Sequence, residues 1–264
     1  MMISPLSNIH PDAQLGKNVH VDAFTTIQED VVIGDDTWIG PNVTIFNGAR
    51  IGKNCRIFPG AVIAAIPQDL KYKGENTTAE IGDNCTIREM VTVNKGTLAL
   101  GKTAIGNNCL LMAYVHIAHD CLLGDGVILA NSVNLAGHVT IEDFAILEGY
   151  VGVSQFIKIG AHSFIAGQTG VRKNVPPYTK AAREPLSFVG VNSVGLKRRG
   201  FEANIINLIQ DIYRILYTKG FSTRHAIDII EKEIPSTPVK DQIIEFIRSS
   251  DKGIMRGYTG GDDE

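Results

Sequence analysis

Every sixth residue from Ile9 is aliphatic: Ile9, Leu15, Val21, Ile27, Ile33, Ile39, Ile45, Ile51, Ile57 and Ile63. After an interruption the same phase gives Ile81, Ile87 and Val93. After a second it runs unbroken from Ile105 through Ile117, Leu135 and Val153 to Val171. In a chain with 44% hydrophobic residues, twelve consecutive hits have chance odds on the order of one in twenty thousand. A period of six suits neither an α-helix nor a plain strand. Gly or a polar residue often follows the aliphatic one, as in Ile33-Gly34-Asp35-Asp36 and Ile81-Gly82-Asp83-Asn84, and such turn formers cut each strand short. Three short strands and three turns make one coil of a prism, 18 residues long. Stacked coils pair as parallel sheet about 4.8 Å apart, and the aliphatic column fills the inside. Each such side chain contributes about 1.5–3 kcal/mol by burial.

The rest of the composition mainly excludes. The 264 residues carry a net charge of −3 and a pI near 6.2, which gives no reason to expect a nucleic-acid partner. No apolar run reaches the length of a transmembrane segment, and the N-terminal Met-Met-Ile-Ser-Pro has no secretion-signal pattern. Cys55, Cys85, Cys109 and Cys121 each follow a column residue by four, a second inward slot. They read as core thiols in a cytoplasmic protein rather than a disulfide framework or metal ligands.

The pattern breaks twice, over residues 64–80 and 94–104. Long excursions from a rigid scaffold often carry function. Pro176-Pro177 is expected to stop the last coil after Val171. The period then changes to that of helices. Ile205, Leu208, Ile209, Ile212 and Leu216 share one face; Ser222 caps a second helix with Ile227 and Ile230; Thr237-Pro238 starts a third with Val239, Ile243, Phe246 and Ile247. The expected architecture is a prism over residues 1–189 and a helical cap over 190–264, its tail from Gly257 disordered.

His116 and His119 flank column residue Ile117, and Asp120 follows. The 18-residue stacking puts His119 under Gly137 and Asp120 under His138. His119 should reach the outer surface at a turn. A histidine base, a carboxylate that fixes its tautomer and a backbone N–H for an oxyanion form a usable acyl-transfer set. His116, His119 and His138 could also be three zinc ligands with an open position.

The hexapeptide pattern resembles the left-handed parallel β-helix acyltransferases, and the left hand comes from that resemblance. The match sharpens over His116-Ile117-Ala118-His119-Asp120-Cys121, Leu135-Ala136-Gly137-His138-Val139, Gln155-Phe156, Gly190-Val191-Asn192, Gly195-Leu196-Lys197-Arg198-Arg199-Gly200 and Gln68-Asp69-Leu70-Lys71-Tyr72. These segments are similar to the UDP-N-acetylglucosamine O-acyltransferase family over essentially the whole chain.

The resemblance implies a cytoplasmic homotrimer with clefts between prisms. It implies transfer of an (R)-3-hydroxyacyl group from acyl carrier protein to the 3-hydroxyl of UDP-N-acetylglucosamine, first in lipid A synthesis. No metal or cofactor is implied beyond the carrier's phosphopantetheine. His119 would be the base, Asp120 its orienter and Gly137 the oxyanion donor. Gln68, Asp69, Lys71, His116, His138, Gln155, Asn192, Arg198 and Arg199 would bind substrates, and Gly167 would end the acyl groove. Asn94, Ser154 and Val194 stand where better-known members have histidine, histidine and glutamate, which leaves secondary sugar and uracil contacts open.

The alternatives are an N-acyltransferase of the same superfamily and a non-catalytic prism scaffold. The first is expected to need an N-terminal uridine-binding domain, for which a repeat beginning by Ile9 leaves no room. The second would need neither His119 nor the Gln68–Lys71 stretch.

Overall fold

The computed structural model describes residues 2–258. The chain winds through three faces in turn. Met2–Ile3 starts the first face, Asn8–Ile9 the second and Gln14–Leu15 the third, and His20–Val21 returns to the first. Among the described residues the faces hold 12, 9 and 8 strands, most of them two residues long. Each strand pairs in parallel with the strand one coil on, so Ile117 partners Leu135, Leu135 partners Val153 and Val153 partners Val171. The result is a left-handed parallel β-helix with a helical C-terminal region.

The corners explain why the strands are so short. At almost every corner a residue takes the left-handed backbone conformation, with φ of 58° at Asp36, 52° at Asn54 and 58° at Asp120. Asn and Asp tolerate this region best. His138, Phe144 and Tyr150 adopt it too, held there by the registered coils on either side. The aliphatic column is buried along the prism, and Cys55, Cys85, Cys109 and Cys121 sit inside it with at most 2% exposure.

Both excursions are shorter than the lapse in pattern suggests. Strands Val62–Ala65 and Thr78–Ile81 bracket the first loop, 66–77; Thr92–Asn94 and Lys102–Ile105 bracket the second, 95–101. Ala64 forms a bulge, with φ of 61° and its side chain buried, and this throws the hexapeptide phase out before the ladder ends.

The prism also continues past Pro176-Pro177. Val175 bridges to Ile159 and Ala181 pairs with Ile165, both in parallel, and both side chains join the core. The prolines occupy the corner between them, where the ladder needs no N–H. The strand Thr179–Ala182 then turns back antiparallel against Ser187–Val191, so the expected boundary at 189/190 falls within a strand.

Four helices follow among the described residues: α1 (Ser193–Arg198), α2 (Ala203–Thr218), α3 (Thr223–Glu233) and α4 (Pro238–Arg248). The first leaves no mark in the sequence pattern, because it is too short to show a period. In α2 the buried face centres on Ile206, Ile209, Ile212, Tyr213 and Leu216, with Ile205 and Leu208 at its edge. Ser222 and Thr237 cap α3 and α4 as expected, accepting from the backbone N–H of His225 and Lys240. Gly257 belongs to a strand, Arg256–Gly257, that pairs with Ser187–Phe188; the expected disordered tail beyond 258 lies outside the described residues. No described helix is long and apolar enough to cross a membrane.

Candidate active site

The corner between the second and third faces is where the sequence motifs converge. Both loops emerge there, and His119–Asp120, Gly137–His138 and Gln155–Phe156 occupy it on three successive coils. The strand His116–Ile117 delivers His119 to the corner, and the left-handed backbone at Asp120 folds the carboxylate back beside the ring.

His119 does not stand out in solvent as the repeat arithmetic implies; it is 5% exposed and Asp120 is 1% exposed. The second loop covers one side, and the ring of His138 meets the His119 ring edge-on at 5.2 Å on the other. His138 in turn stacks on Phe156 at 4.6 Å. His119 Nδ1 lies 2.7 Å from Asp120 Oδ2. The carboxylate also accepts from the Thr97 hydroxyl at 2.7 Å, the Thr97 N–H at 3.0 Å and the Leu100 N–H at 3.2 Å. Burial pushes the Asp120 carboxyl up, but the Thr97 hydroxyl, the His119 ring and the two amides outweigh it and hold it below the usual carboxylate range. Asp120 therefore stays ionised and keeps the proton of a neutral His119 on Nδ1, leaving Nε2 as the basic nitrogen.

Gly137 lies against the ring. A Cβ there would come within 2.6 Å of His119 Cε1 and 2.7 Å of Nε2, so only glycine fits. Its carbonyl accepts from the Phe156 N–H at 3.3 Å, while its own N–H has no partner among the described residues.

The other candidates divide by location. Gln68 and Lys71 are exposed on the first loop, and Asp69 turns back to accept the Lys71 N–H at 2.9 Å. His116 stands on the second face with Nδ1 2.7 Å from Thr92 Oγ1, and burial lowers its pKa. Gln155 is exposed at the top of the corner. Gly167 sits at the corner between first and second faces. Asn192, Arg198 and Arg199 gather at the corner between third and first faces: Arg199 lies over the Phe144 ring at 4.6 Å, and Asn192 Nδ2 donates to the His162 carbonyl at 2.9 Å. Asn192 Oδ1 also caps α1, so its burial has a structural cause that the motif alone conceals. Within one chain these three are not on the His119 corner.

Two further points are not legible in the motifs. Thr97 lies in the second excursion with nothing in the sequence to connect it to Asp120. Asn94 ends a strand rather than lying in the loop; Nδ2 donates to the Ile66 carbonyl at 3.0 Å and Oδ1 is buried without a partner among the described residues. The zinc set drawn from three histidines is not what the fold assembles. Ligand atoms of His119, Asp120 and His138 lie within 4.8 Å of one another, and His116 is not in the group.

Comparison with known proteins identifies the family. The profile described as UDP-N-acetylglucosamine O-acyltransferase domain 2 matches residues 174–255, and the bacterial hexapeptide transferase profile matches 30–65 and 102–137. An acyl-[acyl-carrier-protein]–UDP-N-acetylglucosamine O-acyltransferase from Thermodesulfovibrio yellowstonii is 45% identical over 94% of this chain and 96% of its own. The chain belongs to the UDP-N-acetylglucosamine O-acyltransferase family. The O-acyltransferase of that name from Chlamydia abortus is 43% identical over 97% of this chain and 92% of its own. The crystal structure of a UDP-N-acetylglucosamine acyltransferase from Bacteroides fragilis is 50% identical and superposes with a TM-score of 0.95, covering 97% of this chain and 100% of that one. Its counterpart from Francisella novicida is 41% identical with a TM-score of 0.94, covering 97% and 94%. This O-acyltransferase carries the His119 corner described above on the fold of its family.

Proposed function

We propose that the chain moves an (R)-3-hydroxyacyl group from the thioester of acyl carrier protein to the glucosamine 3-hydroxyl of UDP-N-acetylglucosamine, the first step of lipid A synthesis in the cytoplasm. The observation that carries the mechanism is the buried His119–Asp120 pair packed on Gly137. His119 Nε2 takes the proton of the sugar hydroxyl as its oxygen attacks the thioester carbonyl. The oxyanion that forms accepts from the Gly137 N–H. Collapse breaks the C–S bond, and the leaving thiolate recovers the proton from His119. No metal, cofactor or covalent enzyme intermediate takes part; phosphopantetheine arrives with the carrier.

Gln68, Asp69 and Lys71 serve the sugar and acyl groups from the first loop, with His116, His138 and Gln155 lining the nucleotide-sugar side. A homotrimer is part of the proposal. Asn192, Arg198, Arg199 and Gly167 lie on corners away from His119, and a neighbouring prism can present such corners to it. The basic pair would then hold the diphosphate or the acidic carrier, Asn192 would lie near the uracil, and Gly167 would close the acyl groove.

The test is carrier-dependent acylation of UDP-N-acetylglucosamine by wild type and His119→Ala. A loss of at least about 100-fold in kcat is expected. Undiminished turnover in the variant would refute the base assignment, and absence of transfer by wild type would refute the reaction.

A further inference from the structure

Asp120 is held mainly from a segment distant in sequence. Three of its donors come from the second loop: the Thr97 hydroxyl, the Thr97 N–H and the Leu100 N–H, at 2.7, 3.0 and 3.2 Å. The Asp120 N–H is fixed separately by Thr103 Oγ1 at 2.9 Å. Thr97 Oγ1 reaches Oδ2, the same oxygen that faces His119 Nδ1. It also accepts from the Ala99 N–H at 3.2 Å, and because an ionised carboxylate can only accept, the hydroxyl proton is directed at Oδ2. The loop itself is anchored at Gly96, whose carbonyl accepts from Thr77 Oγ1 at 2.6 Å and whose N–H donates to Thr78 O at 3.1 Å. A Cβ at Gly96 would meet Lys102 N at 2.3 Å, so only glycine lets the loop pass this close to the Lys102 backbone. Thr77 closes the loop that carries Gln68, Asp69 and Lys71.

We infer that Thr97 is a positioning residue for the catalytic base, clamping the Asp120 carboxylate so that His119 keeps its proton on Nδ1 and presents Nε2 to the acceptor hydroxyl. The inference rests on the acyl-transfer reading of the site. The second loop thereby completes the solvation of a carboxylate that the prism has removed from water. Without the hydroxyl, Oδ2 keeps the ring as its side-chain donor, and the pair binds a proton more readily. The titratable groups facing Asp120 among the described residues are His119 on its own corner and His138 at 3.7 Å one coil on. Lysines flanking the loop face elsewhere: Lys95 donates to the Asn47 carbonyl at 3.3 Å and Lys102 pairs with Glu80 at 2.9 Å.

The experiment compares wild type, Thr97→Val and Thr97→Ser in the full chain, with (R)-3-hydroxyacyl carrier protein and UDP-N-acetylglucosamine. Thr97→Val should lower kcat about 10- to 100-fold, the range for losing one hydrogen bond to a charged group. KM for the nucleotide sugar should stay within about 3-fold, because Thr97 does not touch it in this reading. The acid limb of the kcat/KM profile should move to higher pH. Thr97→Ser, which keeps the hydroxyl, should restore kcat and the profile. An unchanged Thr97→Val, or a defect that serine does not rescue, overturns the inference while leaving an active wild type and an inactive His119→Ala to support the reaction. A substrate-free measurement separates the two further. The neutral His119 ring, followed by nitrogen NMR, should hold its proton on Nδ1 in wild type and share it between the two nitrogens in Thr97→Val. Coincident tautomer populations overturn the positioning role even if the acceptor proves to be a different sugar.

Discussion

Replacing Gly137 with alanine tests the site with one carbon atom. The new Cβ would stand 2.6 Å from His119 Cε1, 2.7 Å from Nε2 and 3.2 Å from Nδ1. Carbon contacts settle near 3.5–4.0 Å, so the ring must retreat by about 1 Å. It has no easy direction in which to go. Nδ1 is tied to Asp120 at 2.7 Å, Asp120 is tied to the second loop, and His138 closes the far side at 5.2 Å between ring centres. A misplacement of this size in a positioned group costs about 100-fold in rate. The expected result is a kcat at least about 100-fold lower for Gly137→Ala. The Gly137 N–H survives the change, and no left-handed backbone is required at this position, so the loss is assigned to the displaced base. Overpacking should cost about 1–3 kcal/mol of stability. At about 2–4 °C per kcal/mol for a chain of this class, the thermal midpoint should fall by roughly 2–12 °C with the β-sheet spectrum intact. Acyl-transfer kinetics and a thermal melt on the same preparation decide it. Wild-type kcat in Gly137→Ala would mean that the ring is free to move, and the account of a clamped base would fail with it.

Single features elsewhere set three other expectations. His162 is held down to about 4 by burial and by Arg199, with Asp143 opposing. Its lowered pKa means that the unfolded chain takes up a proton first as pH falls, so its contribution to stability is intact above about 6.5 and is lost between there and about 4. The thermal midpoint should show that loss, and His162→Phe, which keeps the stack on Phe144 and Tyr178, should flatten it; an equal slope in both proteins refutes the assignment. All four cysteines are buried and free, so a thiol reagent should find no fast-reacting group in the native protein and four in denaturant, and rapid native labelling would contradict the packing. Exhaustive chelation should leave acyl transfer unchanged, and loss of activity restored by zinc would instead install the His119, Asp120 and His138 group as a metal site.

The parts legible in the sequence are those governed by strict repetition. A column of aliphatics at a period of six places the interior, and steps of 18 put Gly137 over His119 and His138 over Asp120, which is how the coils register. Family motifs add an expectation of which corner residues matter. What escapes lies where the repetition lapses. Thr97 is 23 residues before Asp120, not 18, because the second loop intervenes, so no phase argument brings the two together. The burial of His119 escapes for the same reason: the repeat shows only that a corner residue leaves the prism, not that an inserted loop then covers it. Val175 falls off the pattern because the column steps by four residues there and resumes by six at Ala181, with the prolines taking up the corner. The structural part played by Asn192 escapes too, because a motif does not reveal that its amide caps α1 and holds the His162 carbonyl. In a repeat protein the scaffold is periodic and the function is not. The insertions that hide from the periodic pattern are where the chemistry is tuned, and Thr97 is the residue at which that division of labour can be tested directly.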